Sequence, residues 1–335
     1  MRGTPALPRR WAALAASLPF LAAAPAARAA WPDRPVRLIV PFPAGSATDT
    51  IARLFAEPLG RELGQPVVVE NRPGGNGVVG TEAGARAAAD GNTLLVYSTS
   101  GAAVSPHTLK RVPYDPMRDF APVGFIAEMP YLLVVGPDSP VRDLRGFFEQ
   151  ARRRDGGVAF SYGNSASLIA IAMLERQAGA RFNPIPYRGG PEALTDVMTG
   201  RVDATFTDLG PGLSQVRAGK VRAIGVTTRE PFPLVPGVPP VATALPGFDV
   251  TVWYGLAAPA GTPGAGARAL RGRTQRGDRR SDAGRTLRCA GLRAAPHGRR
   301  GVRPVPGAAI RLVGRTGARR RDRTAMTARS RRRGP

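Results

Sequence analysis

At 335 residues the chain is long enough to bury a full core, as one large domain or two small ones. Its formal charge of +24 suggests nucleic acid, but the excess sits at the ends: residues 264–335 hold 22 Arg and no Lys against Asp278, Asp282 and Asp322, and four more Arg lie in the first 29 residues. The stretch between is close to neutral, and with one cysteine (Cys289) and two histidines (His107, His297) an internal disulfide is excluded and neither a metal nor a cofactor is expected.

Arg2, Arg9 and Arg10 precede WAALAASLPFLAAAPAARA, an apolar run too short to span a bilayer, and Ala27-Arg28-Ala29 offers small residues for a signal peptidase. Pro19 and Pro25 interrupt the run, which argues against a core helix. Residues 1–29 therefore read as a cleaved export signal, and a periplasmic location is expected.

VRLIV and PVVVE then flank a helical pattern with apolar residues at Ile51, Leu54, Phe55 and Leu59, which predicts a βαβ unit whose helix kinks or ends early at Pro58. At the first junction Ser46-Ala47-Thr48-Asp49 fits the S-x-x-D capping pattern: Ser46 Oγ accepts from the Asp49 N–H while Asp49 reaches back to the Ser46 N–H. That junction is either a well-capped helix or an anion site, where Ala44, Gly45, Ser46, Thr48 and Asp49 let a carboxylate approach free N–H groups at the positive end of the helix dipole. PGGNGVVG, next in the chain, does not open a helix directly after a strand as a dinucleotide fingerprint must. NTLLVYSTS is a strand ending in hydroxyls, with Thr99 as a candidate ligand contact, and His107 follows in a loop-like region.

Four more strands are predicted at YLLVVG, VAFSYG, VDATFTD and VRAIGVTT, and helices at VRDLRGFFEQARRR, SASLIAIAMLERQAG and GPEALTDVMTG. Alternating strands and helices argue for an α/β fold with parallel sheets, and the strands end in Ser, Thr, Asp or Gly, as expected where loops form a binding crevice. FSYGNSASLIAIAML repeats the first junction's chemistry with Gly163, Asn164, Ser165 and Ser167. Two such helix starts facing each other can hold a dicarboxylate or an amino acid; otherwise they are two unrelated caps. Asp208, at the end of VDATFTD, either accepts from a ligand hydroxyl, amide or ammonium or caps the next turn. A secreted hydrolase with Ser46 or Ser165 as nucleophile is the rival reading, but it has only His107 as a base before the tail, and neither G-x-S-x-G nor H-E-x-x-H occurs.

Taken in order, WPDRPVRLIVPFPAGSATDTIARLFAEPLGRELGQPVVVENRPGGNGVVGTE, ADGNTLL, VPYDPMRDFAPV, IPYRGGPEALTDVMTGRVDATFTD, VRAGKVRAIGVTT and VWYGLAAPAGTP resemble the Bug receptors, the periplasmic solute-binding subunits of tripartite tricarboxylate transporters. The resemblance spans residues 31–263 and implies a type II periplasmic-binding-protein fold, two doubly wound lobes around a ligand cleft. On that pattern lobe 1 takes residues 30–128 with 229–263 returning to it, and lobe 2 takes 129–228. It further implies that the first loop, Ala44 to Asp49, and the facing loop, Ser161 to Ser167, grip a carboxylate through N–H groups, hydroxyls and water. The implied protein is no enzyme and binds no nucleic acid; it is a monomer that hands a small carboxylate to membrane subunits. Leu168 and Ile169, where relatives have a more polar helix start, argue against a fully polar ligand.

From residue 264 the resemblance stops. The Ala, Arg, Gly and Pro of residues 264–335 lack an apolar face and match what high-GC codons give in a shifted reading frame, so a disordered or frameshifted tail is expected. An Arg-rich interaction module is the alternative, but the segment has neither Lys nor interleaved aromatics.

Overall fold

The computed structural model describes residues 31–263; the expected export signal and the Arg-rich tail with its expected disorder or shifted frame lie outside the described residues. The predicted βαβ unit is β1 (Val36–Val40), α1 (Ala47–Leu63) and β2 (Val67–Asn71), with β1 and β2 parallel and Val36 opposite Val67. Helix α1 passes through Pro58 instead of ending there. The stripe it buries is Ile51, Ala52, Ala56, Leu59 and Leu63, while Leu54 and Phe55 are only partly covered. Burying the residues beyond Pro58, at roughly 1.5–3 kcal/mol for a leucine, offsets a proline cost of about 3 kcal/mol. Gly64 then closes the helix in the left-handed conformation, φ 71°, its N–H donating to the Gly60 carbonyl.

A 3-10 turn at Gly75–Gly77 leads into α2 (Val78–Ala85), β3 (Thr93–Ser98), a π-helical turn at Ser100–Val104 and α3 (Ser105–Thr108). His107, expected in a loop, thus lies in a short helix. There follow β4 (Phe120–Val135), α4 (Leu144–Arg153), β5 (Val158–Tyr162), α5 (Ser165–Ala178), β6 (Phe182–Pro186), α6 (Gly190–Met198), β7 (Ala204–Asp208), α7 (Leu209–Arg217), β8 (Arg222–Val226) and β9 (Thr251–Pro259).

The sheet runs β2-β1-β3-β9-β4-β7-β5-β6, with β8 also on β4. Each end is parallel, as expected, but the middle is antiparallel: β9 pairs β3 and β4, and β4 pairs β7 and β8. Strand β4 changes partners along its length, facing β9 over Phe120–Pro130 and then β7 from Tyr131. Its register with β9 slips between Pro122 and Gly124 and between Phe125 and Ala127. Pro184 and Pro186 are tolerated in β6 because it is an edge strand. Beyond Tyr131 the core is aromatic, with Phe160 5.0 Å from Phe206 and Phe147 stacked 5.8 Å from Phe182.

A cleft between two helix starts

Directly opposed residues of paired strands present their side chains on one face. Ser98 of β3 is opposite Tyr254 of β9, and Tyr131 of β4 is opposite Asp208 of β7. All four line one cleft, which the N-caps of α1 and α5, Ser46 and Asn164, and Thr48 in the first turn of α1 complete. The loop before α6 packs against both: a Cβ on Gly189 would be 2.5 Å from Pro43 in the loop before α1, and one on Gly163, in the loop before α5, would be 2.2 Å from the backbone of Gly189 and Gly190. As it stands the cleft has room for about one water molecule.

At the first loop Ser46 is the N-cap of α1 and its Oγ accepts from the Asp49 N–H at 3.2 Å, as expected. The return contact differs from the expected one. Asp49 Oδ2 accepts from the Gly45 N–H at 3.0 Å, whereas the Ser46 N–H donates to the Pro43 carbonyl. Gly45 has φ +78°, and this left-handed turn aims its N–H, not that of Ser46, back at the carboxylate. Asn71 at 2.9 Å and Arg53 at 3.0 Å take further positions on Asp49. Burial pushes this carboxyl up, but the bonds from Arg53, Gly45 and Asn71 outweigh that and hold it below the usual carboxylate range. Asp49 therefore backs the loop. The N–H groups of Ala47 and Thr48 have no partner among the described residues.

The second loop is organised by Asn164, the N-cap of α5. Its Oδ1 accepts from the Ser167 N–H at 2.8 Å, the Tyr131 hydroxyl at 3.0 Å and Ser100 Oγ at 3.4 Å. With the oxygen so occupied, its Nδ2 group is the unused donor. The Ala166 N–H donates to Ser100 Oγ, and the Ser165 N–H has no partner among the described residues. Ser98 Oγ adds a further unused group: it is buried without a hydrogen bond.

The same lining carries Asp208, 8% exposed, whose Oδ1 accepts from the Tyr254 hydroxyl at 3.0 Å. Burial pushes its carboxyl up to about 6 against the opposing effect of that bond. The same burial, with Asp208 nearby, raises the Tyr131 and Tyr254 hydroxyls well above their ordinary value. Although Asp208 precedes α7, it makes no capping bond to it.

Of the residues expected from sequence, Ser46, Thr48, Thr99, Asn164 and Asp208 line the cleft. Thr99 is also tied to β9, accepting from the Trp253 N–H at 2.8 Å. Ala44 and Gly45 form the exposed outer turn of the first loop. Ser161 turns toward α6, donating to the Ala193 carbonyl at 3.1 Å, and the Ser167 hydroxyl donates to the Asn164 carbonyl. Gly163 supplies the close backbone approach to Gly189 and Gly190. Ser165 Oγ lies 2.9 Å from Ser105 Oγ, and neither it nor Ser46 Oγ is hydrogen-bonded to His107. Sequence reasoning missed Phe42, Ser98, Ser100, Tyr131, Gly190, Val252 and Tyr254 of the lining. The hydroxyl run after LLVY is the one local signal that pointed at any of them.

The model of the tripartite tricarboxylate transporter family receptor matches residues 51–292. The protein BugT of Bordetella pertussis is 38% identical over 245 residues, 72% of this chain and 75% of BugT. Among solved structures, R. palustris Rpa4515 with adipate superposes with TM-score 0.78 at 29% identity, covering 87% of this chain and 96% of that one. MatC from Rhodopseudomonas palustris with bound malate superposes with TM-score 0.74 at 31% identity, covering 86% and 98%. The chain belongs to the receptor family of tripartite tricarboxylate transporters, the Bug family of solute-binding proteins.

Proposed function

We propose that this chain is an exported periplasmic receptor, not an enzyme, that captures a small carboxylate in the cleft and presents it, as a monomer, to membrane subunits of a tripartite transporter. The observation that carries the reading is the set of donors without a partner among the described residues at two helix starts: the N–H groups of Ala47 and the cleft-lining Thr48 at α1, and of Ser165 next to the cleft-lining Asn164 at α5, with the buried Ser98 Oγ in the lining itself. Helix starts of this kind hold anions without a side-chain cation, and among the described residues no Lys, Arg or His lines the cleft. The adipate and malate bound by two structural relatives support a carboxylate as the ligand class.

The division into lobes 30–128 with 229–263, and 129–228, belongs to the same proposal. It is supported by β4, which changes partner from β9 to β7 at Pro130–Tyr131. Because Pro43 and Gly189 are in contact and the cleft has room for about one water, capture proceeds by parting of the lobes and reclosure over the acid. The reading is tested by thermal shift of the protein against succinate, malate, citrate, adipate, aspartate, glutamate and benzoate. At least one acid raises the melting temperature in a concentration-dependent way; indifference to all of them refutes it.

A further inference from the structure

The cleft that offers donors to a carboxylate also carries a buried acid in its lining. Among the described residues Asp208 is the only charged side chain in its lining. Tyr254 occupies Oδ1, but Oδ2 accepts no hydrogen bond among the described residues and α7 draws no cap from it. The space beside Oδ2 is kept by Gly190, where even a Cβ would stand 3.7 Å away. A buried carboxylate without a cationic partner is costly, and a second carboxylate brought beside it adds like-charge repulsion. Three aromatic rings, Phe42, Tyr131 and Tyr254, also face the cleft, and ring faces attract cations.

The geometry points to an ammonium subsite formed by Asp208, Tyr131, Tyr254 and Phe42, so that the preferred ligand is an amino acid held by its carboxylate at the α1 and α5 starts and by its ammonium at Asp208. This rests on the carboxylate reading above and adds the charge of the ligand's other group. Asp208 Oδ2 accepts from the ammonium, and the ligand's positive charge replaces the solvent that the carboxylate lost on burial.

The test is calorimetry on the wild-type protein with acids paired by the presence or absence of one amino group: aspartate with succinate, glutamate with glutarate, phenylalanine with 3-phenylpropionate. In the pairs that bind, the amino member is expected to bind at least about tenfold tighter, as a charge-assisted hydrogen bond supplies. Asp208→Asn is expected to bring that ratio close to one. A deaminated acid that binds as tightly as its partner overturns the inference, as does a ratio that survives in Asp208→Asn. No binding by any acid refutes the carboxylate reading itself and the inference with it. A second measurement needs no variant: acidifying the wild-type protein through the Asp208 titration shrinks the ratio, and a ratio unchanged by acid overturns the inference. The groups facing Asp208 are Tyr254 from β9 and Tyr131 from β4, both neutral throughout that range, and Gly190 of α6, which does not titrate.

Discussion

Replacing Asp208 with Asn removes a titration while keeping an oxygen for the Tyr254 hydroxyl, which donates to Asp208 Oδ1 at 3.0 Å. The carboxyl has an ordinary value of 3.8 in the unfolded chain and about 6 in the fold. Below 3.8 it is protonated in both states and burial carries no charge penalty. As pH rises through about 6 the folded protein must ionise a buried group, and the stability present at low pH is lost. Two units correspond to about 3 kcal/mol. The stability of Asp208→Asn relative to wild type therefore rises by about 3 kcal/mol between about pH 4 and pH 8, or roughly 6–12 °C in melting temperature for a chain of this size. Taking the difference between the two proteins cancels Asp49, Glu70 and Asp90, which are held below their ordinary values and lose stability as pH falls. Urea unfolding followed by circular dichroism at five pH values measures it. A difference that is flat with pH, or that shrinks as pH rises, refutes the burial argument and implies a cation at Asp208.

Ala47→Pro replaces one of the two unpaired N–H groups of α1 at the first helical position, where proline fits and where Ser46 already has a compatible ψ of 161°. It lowers affinity for the bound acid by about tenfold or more with melting temperature nearly unchanged, as calorimetry and a thermal scan will show. Tyr254→Phe removes the bond that lowers the Asp208 titration, so carbon NMR of labelled aspartate records a midpoint at higher pH than in the wild-type protein. Asn164→Ala leaves the Tyr131 hydroxyl and the Ser167 N–H without their acceptor and costs about 2–3 kcal/mol in urea unfolding.

What was legible in the sequence was local. The caps at Ser46 and Asn164 announce themselves because a capping side chain acts within three residues of its own position. Alternating strands and helices were legible for the same reason. The length of β4 was not: Pro122, Gly124 and Pro130 read as breakers, yet they sit where register slips or pairing changes partner. Nor was β6, whose two prolines are harmless only at a sheet edge. Strand β9 and helix α7 went unread, since GLAAP and LGPGL carry weak propensity and are held by their neighbours. Ser98, Tyr131 and Tyr254 reach the cleft through strand register between residues far apart in the chain. Asp49 looked like a ligand contact because its outward partners, Arg53 and Asn71, come from the next turn and the next strand.

The central claim, a carboxylate held between two helix starts, is tested most directly by a crystal structure of the protein with the tightest-binding acid from the panel. The account predicts a carboxylate within hydrogen-bond distance, direct or through one water, of the Ala47 and Thr48 N–H groups and of the Ser165 N–H or Asn164 Nδ2. An acid bound elsewhere, or in the cleft with its carboxylate turned away from both helix starts, contradicts it.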